Sequence, residues 1–149
     1  MDAKSGIRIS GHLQIIDTPT GVVLRDCHNL VVSAGLIFLT GYLSGGTMTA
    51  MTRVAVGSGS TGEAAADTGL AAQIEDRHTA TITEPTPTSV KFSANWPAAA
   101  ATGNWYEAGI FNAASGPTML CRVTYGLLTK AAGDDFTIDY TVTLADDGV

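Results

Sequence analysis

Between Gly6 and Ile16 (GIRISGHLQII) apolar and polar residues roughly alternate, with Ile7, Ile9, Leu13 and Ile15 two or four positions apart. That period predicts a strand with one buried face. Thr18-Pro19-Thr20-Gly21 then offers turn chemistry before a second extended run over 22–26, so the first 28 residues read as a β-hairpin. After Asn29 the period changes. Leu30, Ala34, Ile37, Phe38 and Gly41 or Leu43 fall three and four apart, Ser33 stands ready as a cap, and Gly45-Gly46 closes the stretch. The spacing predicts a helix over 33–44, apolar enough on most sides to be buried. A strand over 52–57, a glycine-serine loop and a short helical turn over 67–74, opened by Asp67 or Thr68, come next. Five further runs rich in β-branched and aromatic residues follow at 78–83, 89–96, 105–111, 119–125 and 136–144. Turn chemistry separates them: Glu84-Pro85-Thr86-Pro87, the alanine stretch 98–103, Ala114-Ser115-Gly116-Pro117 and Ala132-Gly133-Asp134-Asp135. About eight strands and one helix predict a mainly β protein, an antiparallel β-sandwich with one inserted helix. The 149 residues suit a single domain, 1–149.

Composition narrows the function classes. The net charge is −6, and the eight Lys and Arg residues are scattered singly, so no stripe is present to neutralise a run of phosphates and nucleic acid is not an expected partner. The most apolar segment, 30–43, is shorter than the roughly 20 residues of a membrane span and is interrupted by Ser33, Gly35, Thr40 and Gly41, so no membrane insertion is expected. The N-terminus lacks the basic start and apolar block of a secretion signal, which makes assembly in a cytoplasm the expectation. Cys27 and Cys121 are then expected to be reduced.

Gly57-Ser58-Gly59-Ser60-Thr61-Gly62 matches the letters GxGxxG. A dinucleotide site also needs a helix opening at the glycine turn and an acidic residue about 20 positions on, ending a parallel strand. Here Glu75 and Asp76 precede the next extended run, and no Lys follows the glycines as a P-loop requires. The stretch reads as a flexible connection and a candidate interface loop, with no cofactor.

Candidate chemistry elsewhere is sparse. Cys27 and His28 are adjacent, so on a strand they point to opposite faces and do not converge on one metal. A Cys121–His78 pair has no supporting cluster, and Asp134-Asp135 and Asp146-Asp147 read as turn and tail charges. The unusual charge is Glu107, inside Trp105-Tyr106-Glu107-Ala108-Gly109-Ile110-Phe111. Alternation puts it on one face with Trp105 and Gly109, and Tyr106, Ala108 and Ile110 on the other. If covered it needs a cation, for which Arg122 or Arg77 is the candidate, in a structural ion pair and not a catalytic one.

The order of segments carries a resemblance. Asn29-Leu-Val-Val-Ser-Ala-Gly-Leu36, Val54-Ala-Val-Gly57-Ser-Gly59 with Thr61, Asp67-Thr68 with Leu70, then Arg77, Glu107-Ala-Gly-Ile-Phe-Asn112 and Met119-Leu-Cys-Arg122 run into a final strand. This series resembles small structural proteins of tailed bacteriophages, of the tail, tail-fibre, baseplate or collar type, in which NxVVxAGL, AVGxGxT, DTxL, EAGLFN and MLAR recur in this order. Cys121 and Ile110 stand where those proteins often have Ala and Leu. The resemblance spans about 29–144 and implies a virion part without enzymatic activity. It would oligomerise with copies of itself and dock to other phage tail, neck or fibre proteins. Residues 1–28 lie outside it, which leaves the hairpin free to be an attachment element. An alternative from another class is a carbohydrate-binding sandwich at a fibre tip, with Trp96, Trp105 and Tyr106 as stacking platforms.

Overall fold

The computed structural model describes residues 6–116 and 118–147. It is mainly β: two antiparallel five-stranded sheets and one helix, a β-sandwich. The first sheet contains Ile7–Asp17 (β1), Val23–His28 (β2), Thr81–Thr86 (β6), Ser89–Trp96 (β7) and Phe136–Asp146 (β10), in the order β2-β1-β10-β7-β6. The second contains Leu30–Val31 (β3), Arg53–Gly57 (β4), Gln73–Thr79 (β5), Gly103–Phe111 (β8) and Met119–Lys130 (β9), in the order β3-β9-β8-β4-β5. The helix, Ser33–Leu43 (α1), follows the edge strand β3.

Alternation explains the first sheet well. Leu13 and Ile15 of β1, Phe136, Ile138, Tyr140 and Val142 of β10, and Phe92, Ala94 and Trp96 of β7 all point into the core. The same strands send polar residues outward: Asp26 bonds His12 at 2.6 Å and Gln14 at 3.0 Å, and Asp139 accepts from Ser93 at 2.7 Å. From the second sheet, Val54, Val56, Ala108, Ile110, Cys121 and Val123 close the core.

Among the described residues there are ten strands, against about eight expected: Leu30–Val31 pairs as a short edge strand ahead of the helix, and the run 78–83 divides between two strands. The run 78–83 is not one strand: β5 ends in the second sheet, Ala80 is buried at the crossing, and β6 continues in the first. Glu84 and Pro85 lie inside β6, a sheet edge where proline's missing N–H does no harm. The helical turn expected over 67–74 is absent. That stretch is irregular until β5 begins at Gln73, and its polar groups are held by other strands instead of by a helical ladder.

Two expectations about faces also change. Between Trp105 and Glu107 the β8–β9 register shifts, so a bulge at Tyr106 breaks the alternation and Trp105 joins Ala108 and Ile110 on the core side, opposite Glu107. The helix is not buried on most sides. Gly35 and Phe38 are enclosed, whereas Leu36, Ile37, Tyr42 and Leu43 are exposed. Its N-cap is Val32, without a side-chain cap, and the Ser33 amide donates to the Ala65 carbonyl at 2.8 Å. The N-terminal hairpin lies inside the first sheet: all eleven residues of β1 pair with β10.

Candidate functional site

Glu107 and Arg122 come from neighbouring strands. Gly109 pairs with Arg122 and Glu107 with Thr124, which sets the two charged side chains diagonally on the outer face of the second sheet. Connection 58–72, between β4 and β5, folds back over that face and covers them. Glu107 is 0 % exposed and Arg122 2 %. Their bond, Arg122 Nε to Glu107 Oε2, is 2.8 Å.

Every remaining polar atom of the pair is directed at the connection. Glu107 Oε2 also accepts from the Ala71 amide at 3.0 Å, and Oε1 accepts from the Ala72 amide at 2.8 Å and the Gly59 amide at 3.2 Å. Arg122 donates to Asp67 Oδ2 at 2.8 Å and to the carbonyls of Thr61 at 2.7 Å and Gly62 at 3.3 Å. Burial works against the Arg122 charge, but the bonds to Glu107 and Asp67 outweigh it and raise its pKa. The Ala64 amide and, behind it, Arg122 hold the Asp67 carboxyl below its usual range. Leu70 fills the space over Gly109 beside a small apolar cluster of Val32, Ala55, Phe111 and Met119.

Gly57 and Gly59 have a steric reason, whereas Gly62 faces open space. A Cβ on Gly57 would overlap Glu107 and stand 2.7 Å from the Ala72 carbonyl oxygen, and one on Gly59 would stand 2.7 Å from Glu107 Oε1. Close approach of the backbone to a buried carboxylate demands glycine there. The connection is therefore fastened along one side, while Ser58, Ser60, Thr61 and Gly62 expose the other.

No family model, no curated protein and no solved structure matches this chain. Residues from four of the segments quoted for the resemblance meet in space: Gly57, Gly59 and Thr61, Asp67 and Leu70, Glu107 and Gly109, and Arg122 all belong to this cluster or its cover. Asp67 was missed as a member. It lies 55 residues from Arg122, and no sequence period links them.

Arg77 is placed elsewhere. Its guanidinium lies over the Phe111 ring, 3.6 Å from the centroid, and donates to the carbonyls of Ala113 at 3.1 Å and Gly116 at 2.8 Å, pinning the β8–β9 turn. Lys130 is a buried cation with no forewarning in the sequence. It donates to the carbonyls of Pro97 at 2.9 Å and Asp134 at 2.6 Å, tying together two turns at one end of the sandwich.

The other candidates do not converge. Cys27 turns toward the core and His28 outward, with its ring 5.3 Å from that of His12. Cys121 on β9 and His78 on β5 are separated by β8 and β4. His78 stacks on Trp96 at 4.6 Å, and Trp96 meets Trp105 edge-on at 5.5 Å. Both indoles are fully enclosed, which leaves neither a face for a sugar ring. Among the described residues no group of three metal-type ligands comes together.

Chemically, the Glu107–Arg122–Asp67 arrangement is a fastener. Both Glu107 oxygens and four donor bonds of Arg122 are engaged by fixed partners, and the backbone they hold excludes a substrate from the pair.

Proposed function

We propose that this chain is a non-enzymatic structural protein of a tailed bacteriophage virion, which oligomerises and docks to tail, baseplate, collar or fibre components. The observation that supports the reading is the convergence of four of the resembling segments on one internally saturated charge cluster. A catalytic dyad keeps a lone pair or proton for its substrate, whereas here the charges are directed into holding a long connection against a sheet. The recurring residues thus serve a rigid, two-layered subunit. Rigidity suits a particle component, because a preformed surface loses little freedom on assembly.

Immunogold electron microscopy of the phage that encodes the chain tests the proposal. Gold at the neck, tail, baseplate or fibres of intact particles is the expected result. Gold confined to infected-cell debris, with particles unlabelled and the chain missing from purified virions by mass spectrometry, would overturn it.

A further inference from the structure

Helix α1 is apolar on all sides, and only part of it is covered. A helix of that kind is ordinarily enclosed by its own protein. Here Leu43 is 88 % exposed and Ile37 69 %. No Asp, Glu, Lys or Arg occurs between Asp26 and Arg53. Beside the helix lies a groove of about 670 Å3. Its far wall is the overhanging inner face of the first sheet, with Ile7, Ile82, Val90 and Leu144, and of its lining only Glu84 is charged.

We infer that this helix and groove form the surface through which a second copy of the chain docks, the apolar helix end of one copy entering the groove of the other. The inference rests on the virion-subunit reading and names the surface it uses. Two observations select a second copy as the occupant. The first is area: the exposed parts of Ile7, Leu36, Tyr42, Leu43, Ile82 and Leu144, which all line the groove, amount to roughly 600 Å2, within the roughly 600–1,000 Å2 that one partner contributes to a standard interface and at the upper end of the apolar patches monomers carry. The second is charge. Each copy carries −6, so two copies repel wherever their acidic faces approach within a Debye length of about 8 Å. The nearly uncharged groove and helix let them meet without that penalty. The patch also holds both a ridge and a hollow, so it is complementary to itself.

Sedimentation velocity over a wide concentration range tests the inference on the full chain and three variants: Leu43→Lys on the helix, Ile82→Lys on the opposite wall, and Leu127→Lys as an exposed apolar control outside the groove. Each substitution moves the net charge from −6 toward neutrality, so lost association cannot be ascribed to added repulsion. The expected result is self-association of the wild type, unchanged in Leu127→Lys and weakened at least tenfold in the other two, with circular dichroism the same in all four. Association that survives both groove variants overturns the inference and leaves the virion reading standing on another surface. A wild type monomeric at every concentration also overturns it, whether or not palmitate occupies the groove in native mass spectrometry. In that case the gold-labelling experiment decides separately whether the chain is a virion part.

Discussion

At the scale of single residues, burial decides what each ionisable group does. Glu107 satisfies three backbone amides and one guanidinium, so truncating it leaves the Arg122 charge enclosed with one of its two carboxylate partners removed. Glu107→Ala is expected to cost about 3–5 kcal/mol, a large part of a domain's usual stability, measured as a lower urea midpoint at pH 7. Asp67 supplies a pH dependence. Its folded carboxyl titrates below the ordinary 3.8, so its contribution is fully present above that value and is lost as the pH falls through the lower folded one. Asp26 and Asp135, held low by side-chain hydrogen bonds, add to the same acid lability. Asp67→Asn should therefore be less stable at pH 7 and show a shallower loss of stability below pH 4 in acid titrations followed by urea unfolding. The cysteines are chemically quiet for a related reason: burial pushes the Cys121 thiol up to about 12 and the Cys27 thiol to about 11. Native protein at pH 8 should resist alkylation at Cys121 until denaturant is added, as followed by intact-mass spectrometry. The need of Glu107 for a cation was legible because a charge inside an apolar strand must find a counter-ion, with Arg122 and Arg77 as the candidates, and only the strand register selects Arg122. Asp67 was not legible, because its approach depends on how a long connection folds back.

At the scale of elements, close packing overrides propensity. Gly35 sits inside α1, where alanine would by itself favour the helix by about 1 kcal/mol. A Cβ there would overlap the Leu120 carbonyl oxygen of β9, a backbone atom with no room to withdraw. The steric term prevails, so Gly35→Ala should destabilise the protein by about 1–3 kcal/mol in chemical unfolding despite its better helix propensity. The same logic governs Gly59, where a methyl group would push the connection off Glu107. Gly59→Ala should raise amide hydrogen exchange at Ala71 and Ala72 with little change in the core strands. Element types were read well wherever a period ran unbroken, as in β1, β7 and β10. The type failed where the chain changed sheets at Ala80, and within the correctly expected strand β8 the faces failed where the Tyr106 bulge shifted the alternation, since neither event alters which residues are apolar.

At the scale of the whole molecule, the N-terminal hairpin is a structural member of the sandwich. β1 lies between β2 and β10 and buries Leu13 and Ile15 completely. A chain lacking residues 1–28 would expose the full length of β10 and one side of the core, so it should be insoluble or unfolded by circular dichroism, which a detachable attachment element would not be. The charge-poor end formed by α1 and the open groove contrasts with the polar outer face of the first sheet, where His12 and Gln14 bond Asp26, and Ser93 bonds Asp139. The molecule thus has one side made for water and one apolar end, a division that belongs to the assembled fold and to no single element.

The amino-acid order was enough to establish the two-layered β architecture, the place of the helix and the need of Glu107 for a cation, because each follows from local periodicity or from the cost of burying a charge. It did not establish that 57–62 is fastened down, that Asp67 completes the cluster, or that α1 keeps an apolar face in solvent. Those depend on which surfaces the connection and the sheets happen to cover, and coverage is a relation between distant segments that no local pattern records.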